Sequence, residues 1–335
     1  MIKRIKNSLI YRFRYKYTVI TIYFWNFITK ILISNKRDKS IRKSLYVWVP
    51  VWGEKHIDWF FKFTLSSLLK ANNLPLVSVN KEVQFHFYTK DVDVKVIESR
   101  MKIMAPSYKF TIVAESFFDD MARDMMSNFF IHIINSCIKN KALMLIAQPD
   151  LIFSNGSVNN LVELSDGKGV SIAVAHPRVS YESLLNEKID IESLSEITID
   201  MVNVALKTQH KVLMRAEETN DENSTLMGIS TRKMPNGLAI IHNLPAVYLC
   251  NPVKADLLFF KRRCEFNIID KHWPNLLFRQ SRLKIIGSSD LAFIIELTFD
   301  SVKTKLNSDL KFNDEHNGSD FLKFMNVFIH HWRNK

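Results

Sequence analysis

The sequence predicts an α/β protein in which a mostly parallel sheet is covered by helices on both faces. Between residues 45 and 177, short apolar runs alternate with segments of helical period. Several of these runs, including 143–147, are apolar throughout and do not alternate with polar residues. Strands that are buried on both faces have this composition, whereas half-exposed antiparallel strands alternate. The expected fold class is therefore a three-layer α/β sandwich with the sheet in the middle.

The composition excludes several classes of site. The 335 residues are 47 % hydrophobic and 24 % charged, enough for a full hydrophobic core. Glycine is scarce, at 8 residues, and neither G-x-G-x-x-G nor a P-loop motif occurs, so dinucleotide and P-loop sites lose their main support. The three cysteines, Cys137, Cys250 and Cys264, are scattered and form no C-x-x-C pair. This usage indicates a reducing compartment and no structural zinc.

The net charge of +12 is concentrated at the start of the chain. Residues 1–44 hold 12 Lys and Arg against one acid, Asp38, whereas residues 45–335 are almost neutral at +1. A basic leader on a near-neutral body points to an anionic surface, either lipid or nucleic acid.

Within this leader, residues 17–34 form an apolar and aromatic stretch that is amphipathic on a helical wheel. One half carries Thr18, Thr21, Asn26, Thr29 and Lys30, and the other half carries Ile20, Phe24, Phe27, Ile28 and Ile31. Such a helix with basic flanks is expected to lie in the interface of an anionic membrane. A spanning helix and an exposed basic arm stay open as alternatives. Nucleic acid is disfavoured, because the aromatic residues cluster on the apolar face.

The elements of the first half follow from apolar runs and helical periods. Strands are predicted at 45–51, 83–88, 110–113, 143–147 and 170–175. Helices are predicted between them at 56–71, 92–104 and 118–139; the first ends before Pro75 and the second before Pro106.

The pattern is looser in the second half. A helix is predicted at 191–212, one strand at 238–250 with His242 and Pro245 inside it, and a short strand at 283–286. An apolar run follows at 291–299, and the tail, 320–335, is predicted to be an amphipathic helix.

The segment 142–164 has the pattern of a ligand site. Its apolar strand ends at Pro149, Asp150 follows directly, and the small polar turn 154–157 leads into a helix. In open α/β sheets, ligands bind in the crevice outside the carboxyl ends of the strands. We therefore expect Asp150 to reach that crevice, near a helix N-terminus that favours anionic groups. An ordinary loop acid is the alternative.

Two segments carry a resemblance to a known family. WVPVWGEKHIDWFFKFTLSSLLKANNLP (48–75) and LMLIAQPDLIFSNGS (143–157) resemble bacterial glycosyltransferase-like proteins with a GT-A-type nucleotide-sugar-binding core. The resemblance covers roughly residues 45–165. It implies a GT-A-like sandwich that moves a sugar from a nucleotide sugar to a glycan or a lipid-linked acceptor. It also implies a domain organisation with a membrane leader at 1–44 and one domain at 45–335, whose nucleotide-binding half is about 45–180 and whose acceptor half is about 181–335.

The same resemblance implies residues that bind the donor and a metal ion. The donor-binding residues are Val51, Trp52, Gly53, Asp150, Ser154 and Asn155. A Mn²⁺ or Mg²⁺ ion would be held by Asp150 with His242 as a second ligand. The family commonly shows Asp-x-Asp, whereas Gln148-Pro149-Asp150 offers one acid, and Arg178 or Arg279 is expected to supply part of the missing positive charge.

Direct displacement at the anomeric carbon also needs a carboxylate base for the acceptor hydroxyl. Asp290 follows the strand KIIG in a small-residue turn and is the first candidate, with Asp270 and Glu296 as alternates. A helix N-cap is the other interpretation of Asp290.

The predicted function is thus a glycosyltransferase in the cytoplasm, peripheral on the inner face of the membrane. Its predicted partners are a nucleotide sugar, the acceptor and the anionic membrane, and not nucleic acid. A non-catalytic, membrane-associated glycan-binding or scaffold protein on the same fold is the main alternative. A nucleic-acid-associated protein that uses residues 1–44 is a second alternative.

Overall fold

The structure is a computed structural model that describes residues 38–115, 122–174, 176–189, 195–196, 198–208, 229–234, 237–242, 246–261, 273–299 and 332–333. The predicted leader helix and Asp270 lie outside these residues. Within these ranges, no helix has the length and the hydropathy that crossing a bilayer requires.

Thirteen strands occur in the described part of the chain. They are β1 (Ser44–Pro50), β2 (Glu82–Lys90), β3 (Lys109–Glu115), β4 (Ala142–Ile146), β5 (Leu151–Phe153), β6 (Ser171–Val174), β7 (Arg178–Ser180), β8 (Ile229–Met234), β9 (Gly237–His242), β10 (Ala246–Cys250), β11 (Leu283–Ile286), β12 (Ile294–Thr298) and β13 (Trp332–Arg333).

The α-helices of the same ranges are α1 (Glu54–Trp59), α2 (Ser66–Leu68), α3 (Leu74–Ser78), α4 (Val94–Met104), α5 (Ala122–Asn140), α6 (Ser157–Ser165), α7 (Tyr181–Asn186), α8 (Thr198–Lys207), α9 (Lys254–Lys261) and α10 (Trp273–Arg279). A π-helix, Phe60–Leu65, joins α1 to α2, and a 3₁₀-helix, Asp91–Asp93, precedes α4.

The central sheet has seven strands in the order β11-β6-β10-β4-β1-β2-β3. Neighbouring strands are parallel except at β10, which is antiparallel to both β4 and β6. Every residue of β4 is buried, and β4 lies inside the sheet between β10 and β1. The predicted fold class, a three-layer α/β sandwich with a mostly parallel sheet, is therefore confirmed.

Helices cover both faces of this sheet. The strand β1 packs against both layers, because successive residues of a strand point to opposite sides. Leu45, Val47 and Val49 belong to one buried cluster, together with side chains of the π-helix, α4 and α6. Tyr46 and Trp48 belong to a second cluster, together with side chains of α5, α9 and α10. Since both faces are buried, β1 has no polar residue after Ser44 apart from the Tyr46 hydroxyl.

A second sheet, β5-β12-β7, was not predicted from the sequence, and two of its strands directly follow strands of the central sheet in the chain. After β4 the chain passes Pro149 and forms β5, and after β6 it passes Pro177 and forms β7. Between them lies β12, antiparallel to β5 and parallel to β7. The second sheet thus begins at the carboxyl edge of the central sheet, where the ligand crevice is expected.

Three sequence predictions are wrong. The helix predicted at 191–212 is shorter, because Ser195 and Glu196 form a turn and α8 begins at Thr198 and ends at Lys207. The segment 238–250 is not one strand: β9 belongs to a third sheet, β13-β9-β8, and β10 belongs to the central sheet. The two strands have different partners, because β9 pairs with β8 and β13, whereas β10 pairs with β4 and β6. The tail was predicted to be helical up to residue 335, but Trp332 and Arg333 form a strand that pairs with β9.

Candidate functional site

Asp150 lies at the carboxyl edge of the central sheet, in the turn between β4 and β5. The π-helix fixes this turn: Oγ1 of Thr64 lies 2.9 Å from the carbonyl oxygen of Gln148 and 2.8 Å from that of Leu151. The backbone carbonyl of Asp150 accepts a hydrogen bond of 2.8 Å from the N–H of Leu297 in β12. The backbone that carries the Asp150 carboxylate is therefore held in place by hydrogen bonds from the π-helix and from β12.

A buried polar network lies beside it. His176 follows β6, and its Nε2 is 2.7 Å from Oε2 of Glu296, while its Nδ1 is 2.6 Å from the hydroxyl of Tyr248. Nη2 of Arg178 is 3.1 Å from Oε1 of Glu296. Because a carboxylate oxygen only accepts, the Nε2–H of His176 donates to Glu296, and Nδ1 shares a hydrogen bond with the Tyr248 hydroxyl. Both carboxylate oxygens of Glu296 are then bound.

Asp150 differs from Glu296 in the hydrogen bonding of its carboxylate oxygens. Its Oδ1 is buried and has no hydrogen-bond partner within the described ranges of the chain. Burial and the nearby charge of Glu296 raise the pKa of Asp150 to about 7, and Arg178 opposes this shift. A carboxyl group with such a pKa can release or accept a proton near neutral pH.

His176 and Tyr248 were not predicted as site residues. The available signal was a repeated tetrad: Ala147-Gln148-Pro149-Asp150 and Ala175-His176-Pro177-Arg178 each follow an apolar strand. Both tetrads lead from the central sheet into the second sheet, on either side of β12. Glu296 itself was predicted as an alternate base, and it lies at the centre of the network.

The donor-binding residues predicted after β1 lie at the same edge of the central sheet. Val51 is buried, and its N–H donates 3.0 Å to the carbonyl of Tyr88. Trp52 is half-buried. Gly53 has φ +78° and ψ 141°, a region that side chains disfavour, and a Cβ built there would meet no heavy atom within 4 Å. The space beside its Cα is therefore open, but its N–H donates 2.8 Å to Oδ2 of Asp93 and its carbonyl accepts from the N–H of Ile57 at 3.0 Å, so both backbone groups are already bound.

Ser154 and Asn155 have structural partners. Ser154 is buried, with its Oγ 2.7 Å from Oγ of Ser157, and Oδ1 of Asn155 accepts from the N–H of Asn72 at 2.9 Å. The buried Asn73 closes this turn: its Oδ1 accepts from the N–H groups of Gly156 at 3.0 Å and Val158 at 2.9 Å. These donors at the N-terminus of α6, which was predicted to favour an anionic ligand, are therefore already engaged.

Asp290 and Arg279 lie away from Asp150. Asp290 is exposed after β11, the edge strand, and β6 and β10 lie between β11 and β4. Its N–H is 3.2 Å from the hydroxyl of Ser288. Arg279 is exposed and precedes β11, which places it at the amino edge of the sheet, opposite to the edge that carries Asp150.

The predicted metal ligands are not brought into one sheet. The backbone of His242 lies in β9 and pairs with Ile229 in the third sheet, whereas Asp150 follows a strand of the central sheet. Among the residues that the structure describes, no group of three His, Cys, Asp or Glu side chains is placed to hold an ion. Since Glu296 is bound to His176 and Arg178, the described donor set does not fit a divalent cation.

Comparisons with known proteins leave the family open. The sequence matches no protein-family model and no curated protein. One similar solved structure is 4-diphosphocytidyl-2C-methyl-D-erythritol synthase from Anaerococcus prevotii, at 9 % identity and a TM-score of 0.28, which covers 42 % of this chain and 57 % of that one. Another is the mannosyltransferase PcManGT from Pyrobaculum calidifontis in complex with GDP-Man and Mn²⁺, at 11 % identity and a TM-score of 0.27, which covers 56 % of this chain and 60 % of that one. The chain thus spans less than two thirds of either protein, and likenesses this partial assign no activity.

Proposed function

We propose that this chain is a glycosyltransferase that takes a sugar from a nucleotide sugar, with its reaction centre at Asp150. The observation that carries the proposal is the buried Oδ1 of Asp150, which has no partner in the described part of the chain and lies at the ligand edge of an α/β sheet. Buried polar atoms are normally hydrogen-bonded, so an acceptor hydroxyl is a suitable partner for this oxygen. The sequence resemblance over residues 45–165 supports a nucleotide sugar as the donor.

In the proposed reaction, Asp150 is the base. The acceptor oxygen bonds to the anomeric carbon of the donor, and the bond from that carbon to the diphosphate oxygen breaks. The electron pair of the broken bond leaves with the diphosphate, and the proton of the acceptor hydroxyl passes to Asp150. A pKa of about 7 suits this transfer, because a base works best when its pKa lies near the working pH.

The chain also supplies groups for the donor and its leaving diphosphate. Arg178 lies in the same network as Asp150 and brings positive charge, which stabilises a departing diphosphate. The segment Val51-Trp52-Gly53 is the proposed nucleotide-binding turn, where the space beside the Cα of Gly53 allows the nucleotide to approach closely. Ser154 and Asn155 are proposed to act indirectly, by holding the turn before α6 in position.

The acceptor is proposed to be a glycan or a lipid-linked glycan at the cytoplasmic face of a membrane. The basic and aromatic composition of residues 1–44 supports this location.

The alternative is a non-catalytic protein that binds glycans or nucleotide sugars on the same fold. The observation that favours it is the donor set around Asp150, which within the described ranges does not form a metal site.

One assay separates the two functions. The full-length chain is incubated with a panel of nucleotide sugars, with and without Mn²⁺, and the release of nucleoside diphosphate is measured. Asp150→Asn is nearly isosteric and should lower the release at least about tenfold, whereas Asp290→Asn, at an exposed site, should leave it unchanged. A loss at Asp290→Asn alone would return the role of base to Asp290. Binding of a nucleotide sugar without release under any condition would favour the non-catalytic protein.

A further inference from the structure

The amino edge of the central sheet is basic. Each of its six parallel strands has a basic residue at its first position or within three residues before it: Lys43, Lys81, Lys109, Lys141, Lys168 and Arg282. The carboxyl edge is mixed in charge. Acids follow four of the six strands within four residues, namely Glu54, Asp91, Asp150 and Asp290, but Lys90 ends β2 and Arg178 follows β6 at the same edge.

Some charges of the amino edge are used inside the protein. Lys81 is 2.6 Å from Asp166, and Arg282 is 2.6 Å from the buried Asp256. A further group of basic side chains at this edge is exposed: Lys39, Lys43, Lys139, Lys141, Lys168 and Arg279. The exposed acid Glu82 at the same edge is paired with Lys109 at 2.8 Å. The amino edge therefore presents an excess of positive charge to its surroundings.

Apolar side chains project from the same edge. Ile41, Val79 and Ile103 are 74 %, 74 % and 75 % exposed. They precede β1, β2 and β3, which are parallel neighbours, so all three lie on the amino edge. A cleft of about 550 Å³ lies at the amino ends of β2 and β3 and is lined in part by Pro75, Met104 and Lys109. Apolar side chains within a basic surface form the combination that binds at a bilayer interface.

Helix dipoles explain the basic residues of the amino edge but not its exposed apolar side chains. The helices end at the amino edge, where basic residues complement the negative ends of the dipoles. Helix dipoles do not explain why Ile41, Val79 and Ile103 are exposed to water, where none of them gains the free energy that burial of its side chain would provide.

We propose that the amino edge of the central sheet docks on an anionic lipid bilayer, with Ile41, Val79 and Ile103 entering the interface and the surrounding lysines binding the headgroups. Charge complementarity supports this occupant. So does the course of the chain, since the basic, aromatic residues 1–38 join the body at Lys39, two residues before Ile41. The surface is distinct from the leader and lies wholly in the body.

This orientation has a consequence for the carboxyl edge. Because the two edges are opposite ends of the same strands, docking of the amino edge turns Asp150 away from the bilayer. Of the two acceptors proposed above, this orientation favours a glycan that is not held in the bilayer over a lipid-linked one, because a group that reaches Asp150 comes from the aqueous side.

The test places an environment-sensitive fluorophore on the full-length chain. Cys137 and Cys250 are buried, and a Cys264→Ser background makes one added cysteine the reactive site. The chain is labelled at Val79→Cys or Ile103→Cys. Val92→Cys is the matched control, because Val92 is 82 % exposed and follows β2 at the carboxyl edge.

Mixing with phosphatidylserine vesicles should shift the emission of the labels at positions 79 and 103 to shorter wavelength and leave the label at 92 unchanged. The shift should shrink in about 0.5 M salt, where charges are strongly screened. In unlabelled protein, Val79→Asp with Ile103→Asp should weaken vesicle binding about tenfold, whereas Val92→Asp should not.

Absence of a shift at 79 and 103, or an equal shift at 92, would overturn the proposal. Single-stranded RNA is the competing polyanion. An equal shift with RNA, together with vesicle binding that Val79→Asp and Ile103→Asp leave unchanged, would show a general basic surface and would also overturn it.

Discussion

Asp150 and Arg178 occupy matching places in the fold, because each follows a proline that ends a central strand and each lies next to β12. The carbonyl of Asp150 accepts from the N–H of Leu297, and the carbonyl of Pro177 accepts from the N–H of Glu296. The side chain of Glu296 therefore has an acid on one side and a guanidinium on the other. Its charge raises the pKa of Asp150, while Arg178 opposes that rise.

This environment makes the stability of the protein depend on pH. The pKa of Asp150 is raised from 3.8 to about 7, so between these values the folded state holds a proton that the unfolded state has released. The free energy of unfolding contributed by Asp150 is then fully present below pH 3.8 and is lost as the pH rises to about 7. Asp150→Asn does not titrate and should remove this loss.

The measurement is the urea midpoint of the wild type and of Asp150→Asn at several values of pH. The stability of the wild type relative to the variant should fall between about pH 4 and pH 7. The comparison removes the opposite contribution of His86, whose pKa burial lowers to about 4, because both proteins contain it. A difference that stays constant with pH would show that the pKa of Asp150 is ordinary.

Asn73 is predicted to be the main polar support of the turn before α6. Its Nδ2 donates to the carbonyls of Ser67 at 2.9 Å and Ser154 at 3.1 Å, in addition to the two bonds that its Oδ1 accepts. Asn73→Ala leaves these buried groups without partners and should cost about 3 kcal/mol of stability. Asn72→Ala is the control: its side chain is exposed, so its effect should stay within about 0.5 kcal/mol. Equal melting temperatures of the two variants would contradict this role.

The end of the leader is predicted to be part of the folded body. Arg42 is 2 % exposed, its Nη2 donates 2.6 Å to Oδ1 of Asn251, and its N–H donates 2.8 Å to Asp166. Deletion of residues 1–37 should therefore leave the melting temperature unchanged, whereas deletion of residues 1–44 should lower it by several degrees. Thermal unfolding of the two truncated chains is the measurement. If both melt like the full chain, the contacts of Arg42 do not stabilise the body.

The sequence predicted correctly those elements whose structure depends on one short segment alone. The uniform apolarity of residues 143–147 predicted a buried interior strand, and β4 is one. The strand at 283–286 has the predicted bounds. The antiparallel direction of β10 was not predictable, because the direction of a strand depends on where the chain returns to the sheet, and no local pattern in the sequence encodes that.

The site was predictable only in part for the same reason. Asp150 was found because a proline and an apolar strand precede it. His176, Tyr248 and Glu296 come from three separate strands or strand ends, and they meet only after the second sheet has formed beside the first. The repeated Ala-x-Pro tetrad would have pointed to His176 and Arg178, but Tyr248 lies within an ordinary apolar strand.

The central claim, that Asp150 is the base of a sugar transfer, is tested most directly by the pH dependence of nucleoside diphosphate release. With the donor found in the panel, kcat/KM of the wild type should rise with an apparent pKa near 7 as Asp150 loses its proton. Asp150→Asn should be slower by at least about tenfold and should lack this rise. A variant that keeps both the wild-type rate and the wild-type pH profile would contradict the claim.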